Sequence, residues 1–127
     1  MEMGLEPCAY SMTFNVTGNK LNAILNQRSQ DILAANNWNV VQYSVLVHML
    51  AQTAGLVPGE LVHVIADAHI YDRHVPIIEE MISRPQFPAP KFKLNPEIKD
   101  FYEFTVNDIK IEDYRNNPQI ADIPIAI

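Results

Sequence analysis

Three short stretches of the 127-residue chain concentrate side chains that can do chemistry. The first is Glu6-Pro7-Cys8-Ala9, where the only thiol stands at the start of a strand-like run. Ionised, a thiol is a strong nucleophile, although a lone cysteine also serves as a small buried hydrophobe. The second is Asn26-Gln27-Arg28-Ser29-Gln30-Asp31, a dense series of donors and acceptors closing a run that is apolar on one face. It reads either as a solvated strand end or as a ligand-facing cluster. Regular alternation would put Arg28 and Ser29 on opposite faces, so service to one ligand requires the strand to end or bulge there. The third is Asp67-Ala68-His69-Ile70-Tyr71, whose polar members share one face by the two-residue period and could equally face solvent.

The elements that must position these residues are legible in the pattern. Tyr10, Met12, Phe14 and Val16 alternate with Ser11, Thr13 and Asn15, as in a strand. Thr17-Gly18-Asn19 is a turn signal, and Leu21, Ala23 and Leu25 alternate after it, which predicts a hairpin. Residues 31–35 predict a short helix capped by Asp31, and residues 36–54 a long one ended by Gly55. The long helix is apolar over most of its circumference and is expected inside the domain. Residues 60–71 read as the clearest strand, with Val62, Val64, Ala66, Ala68 and Ile70 on one face. The other face carries His63, Asp67, His69 and Tyr71. A helix over 75–82 with Pro76 in its first turn follows. After it come a proline-rich loop with a short edge strand over 85–96, mixed strand segments over 101–114, and an irregular tail over 117–127. The expected fold class is α/β (α+β): a mixed sheet around a long buried central helix.

Bulk properties narrow the chemistry. A net charge of −6 argues against general nucleic-acid or anionic-membrane binding, but not against a small anion held by one or two arginines. One cysteine permits no internal disulfide, and with no signal peptide or long apolar run it points to the cytoplasm. No Cys/His/Asp cluster has metal-ligand spacing, so metal binding is excluded as a reading.

In this order and spacing the clusters resemble thymidylate synthase. The resemblance runs from Leu5 to Ile127. It is carried by Pro7-Cys8, Gln27-Arg28-Ser29 with Asp31, Asn39, Val47-His48-Met49 with Ala51-Gln52, Asp67-x-His69-x-Tyr71-x-x-His74, and Pro124-x-Ala126-Ile127. It implies reductive methylation of dUMP to dTMP, with 5,10-methylenetetrahydrofolate as methylene and hydride donor. Cys8 matches the nucleophile that adds to C6 of the uracil ring. Arg28 matches an arginine that touches both the substrate phosphate and the cysteine, where its fixed charge favours the thiolate and its planar fork suits phosphate. Ser29 matches a further phosphate donor, and the backbone of Gln30 and Asp31 lies along the same nucleotide. Asp31 also matches the carboxylate that holds the folate pterin. Asn39 matches the reader of the pyrimidine edge, offering a donor to O4 and an acceptor to N3–H of uracil. His69 and Tyr71, with Ile70 between them, match the ribose-binding segment. Ala126 matches the end of the tail that folds over the folate. The family's partnership is a homodimer formed through the sheet.

Some positions depart from the family pattern. Ala9 replaces a common histidine, Ile65-Ala66 a usual Gly-Gly, and Asn36-Asn37-Trp38-Asn39 a common Leu-Pro-Phe-Asn. In the family the cysteine lies past the middle of the polypeptide, so the chain is expected to correspond to a C-terminal part over residues 1–127. The counterpart N-terminal half would carry a phosphate-binding arginine, a folate-side tryptophan, a catalytic glutamate and two arginines donated across the dimer. A catalytically incompetent fragment that only binds nucleotide or dimerises is the alternative reading. His48, Gln52, His63 and His74 have weaker claims, with a hydrogen-bonded core role the more natural reading of His48.

Overall fold

The computed structural model describes residues 6–124. The chain divides into two compact units, Met1–His69 and Ile70–Ile127.

The first unit is built on a three-stranded sheet in the order β1-β2-β4, from β1 (Ala9–Thr17), β2 (Lys20–Gln27) and β4 (Val57–Ile65). The predicted hairpin forms, with β1 antiparallel to β2 and Thr17 paired to Lys20. Its two-residue loop opens on Gly18 at φ 62°, the left-handed conformation that a turn of this hand demands at that position. The long helix α1 (Asn36–Thr53) then crosses over, so that β4 returns parallel to β2. Gly55 at φ 68° follows the end of α1, and its N–H donates back to the Gln52 carbonyl at 3.1 Å. A separate two-stranded parallel pair joins β3 (Gln30–Asp31) to β5 (Ala68–His69).

Period two sorts the strand side chains into two faces, and α1 covers one of them. Leu21, Ala23 and Leu25 of β2 are buried, and α1 packs on β2 and β4 with Val47 and Ala51 buried. Cross-strand pairing puts Leu61 and His63 beside Ala23 and Leu25, on the covered face. Val62 and Val64 therefore point the other way, each 48% exposed, beside Ile24 and Asn26. This reverses the simple expectation for 60–71: the face rich in valine lies open, and the face that holds His63 is turned inward. Nor does that strand run unbroken to Tyr71. It stops at Ile65 and, after the two residues Ala66 and Asp67, resumes at Ala68 in the other sheet.

Two other expectations are corrected. Residues 31–35 make a turn after β3 in place of a helix, with Asp31 Oδ1 accepting from the N–H groups of Leu33 at 3.0 Å and Ala34 at 3.1 Å. The cap is as predicted, but the chain goes straight on into α1, leaving no length for a separate helix. Enclosure of α1 on all sides is also not met within this chain. Trp38 is 78% exposed, and Val40 and Val41 are exposed too, because the sheet covers only one side of a helix that is apolar nearly all round.

The half-buried His48 of α1 gives the fold a pH dependence. Burial disfavours the imidazolium and lowers its pKa. Between that lowered value and the ordinary imidazole value of about 6.5, the unfolded chain binds more protons than the folded one. Stability should thus rise with pH through this window, and His48→Gln should flatten the rise. Urea midpoints at several pH values between about 5 and 7 check this; equal slopes for the two proteins would contradict it.

The second unit has a 3₁₀ turn (Asp72–His74), the predicted helix α2 (Val75–Ser83) with Pro76 in its first turn, and an antiparallel pair β6 (Lys91–Leu94) and β7 (Ile109–Glu112). Residues 101–108 form two 3₁₀ turns where strand segments were expected. Local side chains win there: Asp100 accepts from the Tyr102 N–H at 2.9 Å, and Thr105 and Asp108 form a reciprocal capping box. Three bonds from Asn95 and Thr105 hold the Asp108 carboxyl below its usual range.

Candidate active site

The topology of the sheet brings the sequence clusters together. With β1 antiparallel and β4 parallel to β2, the start of β1 and the ends of β2 and β4 meet at one edge. The segment from Gln27 to Asp31 runs along that edge, bonded on both flanks. On one side the Arg28 N–H donates to the Cys8 carbonyl at 2.8 Å. On the other, Ala66 N–H donates to the Gln27 carbonyl at 3.0 Å, Gln30 N–H to Asp67 at 2.8 Å, and Ile32 N–H to His69 at 3.0 Å. The regular strand ends at Gln27 and the chain bends at Arg28, as required if Arg28 and Ser29 are to serve one ligand.

Cys8 is exposed. The Arg28 guanidinium is bound to the chain leading into it, donating from Nε to the Pro7 carbonyl at 3.3 Å and from Nη2 to the Glu6 carbonyl. A fixed cation is thereby tied to the residues leading into the thiol. A planar guanidinium in this place suits an oxyanion.

Deeper in the unit lies an amide network. Gln27 is 2% exposed. Its Nε2 donates to the Ser29 carbonyl at 2.8 Å and to Oδ1 of Asn39, in the first turn of α1, at 3.3 Å. Its Oε1 lies 3.0 Å from Nε2 of His63. Gln30 is also buried, with Nε2 3.5 Å from Asn36 Oδ1, so its side chain faces inward and only its backbone follows the edge. His69 Nδ1 is 3.3 Å from Asp67 Oδ2.

The edge thus gathers Cys8, Arg28, Ser29, Gln30, Asp31 and His69, with Asn39 joined to it through Gln27. Ile70 and Tyr71 open the second unit, where both are exposed and Tyr71 meets His74 edge-on at 5.6 Å. His74 is buried and its Nε2 donates to the Pro124 carbonyl at 2.7 Å, which ties down the chain just before the carboxyl end. Ala126 lies outside the described residues. Sequence reasoning gave no role to Gln27 and only a weak one to His63. The available signal was Gln27 itself, an amide continuing the buried series Leu21, Ala23, Leu25 into the polar cluster.

The chain matches the thymidylate synthase family over residues 1–127. It belongs to that family. Thymidylate synthase from Clostridium beijerinckii is 46% identical over 118 residues, which are 91% of this chain and 45% of that protein. Thymidylate synthase 1 from Bacillus subtilis (strain 168) is 40% identical over 118 residues, 93% of this chain and 42% of its own length. Among solved structures, thermostable thymidylate synthase A from Bacillus subtilis superposes with a TM-score of 0.91 at 39% identity, covering 94% of this chain and 43% of that one. The chain spans about half the length of these thymidylate synthases. The mixed α/β fold is therefore that of the matching part of the family, which is a family of enzymes.

Proposed function

We propose that this chain is the C-terminal, nucleophile-bearing part of a thymidylate synthase, working on dUMP in the cytoplasm. The observation that carries the reading is the single edge on which Cys8, Arg28 and the Asp67–His69 segment flank residues Gln27 to Asp31. Cys8 attacks C6 of the uracil ring as the nucleophile, and Arg28 with Ser29 supplies donors for the phosphate. The backbone of Gln30 and Asp31 lines the nucleotide, Asn39 reads its base, and His69, Ile70 and Tyr71 take the ribose.

The folate fits the same edge. Asp31 commits Oδ1 to its turn and offers Oδ2 to N–H groups of a pterin, and Ala126 is the residue that the family resemblance assigns to the folate. When bound, 5,10-methylenetetrahydrofolate supplies the methylene group and the hydride. The open sheet face around Ile24, Val62 and Val64 is apolar enough to pair two copies, which we assign as the homodimer surface.

The chain spans about half the length of its relatives, and we assign the family's upstream glutamate and its other arginines to the other half. General acid–base groups are worth about 10²–10⁴-fold each, and a misplacement of about 1 Å costs a further 10²-fold. The chain alone is accordingly expected to make no measurable dTMP. With the N-terminal half of the family fold added in trans, 5-fluoro-dUMP and methylenetetrahydrofolate should label Cys8, seen as a mass increase on the Cys8 peptide. Labelling that stays absent with the added half would favour the non-catalytic alternative, a fragment that only binds nucleotide or dimerises. Unaided turnover by the chain would overturn the incomplete-site reading.

A further inference from the structure

The hydrogen bonds around Gln27 have a direction, and it starts from a group that cannot be reversed. The Ser29 backbone carbonyl only accepts, so the Gln27 atom 2.8 Å from it must be the NH₂ nitrogen. That orientation turns Gln27 Oε1 toward His63, and because Oε1 only accepts, His63 must carry its proton on Nε2. The second proton of the Gln27 amide then points at Asn39, which must present Oδ1 to it. The sense of one amide fixes the sense of the next.

We infer that His63 is a positioning residue for base recognition, setting through Gln27 which way the Asn39 amide faces and so which pyrimidine it accepts. The inference rests on the proposed reading of Asn39 as the base reader. Donation runs from His63 to Gln27 to Asn39, and the Asn39 Nδ2 protons are left for a ligand carbonyl. Oδ1 has a second lone pair for a ligand N–H. That is the complement of uracil at O4 and N3–H. Cytosine, with an amino group at C4 and a bare N3, calls for the reversed amide.

The placement of the three groups makes the relay matter. Gln27 is almost wholly buried, so an Oε1 without a donor has no water to turn to and is costly to leave unmet. If the His63 proton is lost, Gln27 Oε1 goes unmet and the amide is held by the Ser29 carbonyl alone, so its hold on Asn39 Oδ1 slackens. His63 itself never reaches the ligand in this scheme; it acts on the base only through two amides.

The test compares the ¹⁵N-labelled 127-residue chain with its His63→Leu and His63→Gln variants. At about pH 8, above the ordinary imidazole value, the His63 ring in the unaltered chain should show the Nε2–H tautomer. The Gln27 side-chain protons, both engaged, should exchange slowly with water. His63→Leu should accelerate that exchange and lower the dUMP-over-dCMP binding ratio roughly tenfold, while His63→Gln, which restores a donor, should recover most of both. An Nδ1–H tautomer, or a His63→Leu variant with unchanged Gln27 exchange, would overturn the inference. So would an unchanged dUMP-to-dCMP ratio in His63→Leu when the unaltered chain binds dUMP. Binding of neither nucleotide even with the N-terminal half of the family fold added would count against the proposed function, and the ring tautomer and the Gln27 amide would then judge the relay alone.

Discussion

Cys8→Ser is expected to reduce covalent capture of 5-fluoro-dUMP by about 10⁴-fold or more in the chain reconstituted with the N-terminal half of the family fold. A free thiol ionises at about pH 8.5, far below an alcohol. A serine hydroxyl in the same place stays protonated. Arg28, tied to the Pro7 and Glu6 carbonyls, is a cation that cannot take up its proton. The fold should barely notice the change, since the Cys8 side chain is exposed and its carbonyl bond to Arg28 N–H is a backbone contact. Mass spectrometry of the treated protein, with thermal melting as a control, reads both effects. Labelling of the serine variant at the rate of the cysteine protein would remove Cys8 from the proposed chemistry.

Asn39→Asp is expected to move nucleotide preference from dUMP toward dCMP by about 10²-fold. A carboxyl group in place of the amide loses the N–H donor to O4 of uracil, whereas against cytosine it accepts from the 4-amino group and, in its protonated form, donates to the bare N3. Each polar group left unmatched at a buried base edge costs about 1–3 kcal/mol, and the substitution mismatches one base while matching the other. Inside the protein the change is mild, because the introduced carboxylate would accept the Gln27 proton as well as the Asn39 amide oxygen does and keep the Gln27 amide in place. Competition between the two nucleotides in a complete enzyme of this type measures the shift. Equal dUMP-to-dCMP ratios before and after the change would mean that position 39 does not read the base.

Much of this arrangement was legible in the residues. The hairpin follows from strict alternation around Thr17-Gly18-Asn19, and the long helix from an apolar run closed by Gly55. Asp31 was correctly read as a cap, though of a turn. What could not be read was decided by distant partners. Period two divides residues 60–71 into two faces but does not say which one α1 will cover, and burial went to the side of Leu61 and His63. The break after Ile65 is set by the Gln27 to Asp31 segment, which draws Asp67 and His69 into bonds of their own. The role of Gln27 was hidden for the same reason: its three partners come from Ser29, Asn39 and His63, and no local pattern couples them.

The two flanks of the Gln27 to Asp31 segment close very different lengths of chain. The flank toward Cys8 is zipped by a hairpin with a two-residue loop, whereas the flank toward Ala66 and Asp67 is joined only after the whole of α1 has crossed over. Closing the longer loop costs more entropy and rests on packing of the helix against the sheet. The thiol and its arginine therefore come together early and locally as the chain folds, and the Asp67–His69 side arrives late. The same inequality holds in the folded protein. A disturbance that loosens α1 frees the Asp67–His69 flank while leaving the Cys8–Arg28 backbone bond in place, so the two flanks of one edge can come apart separately.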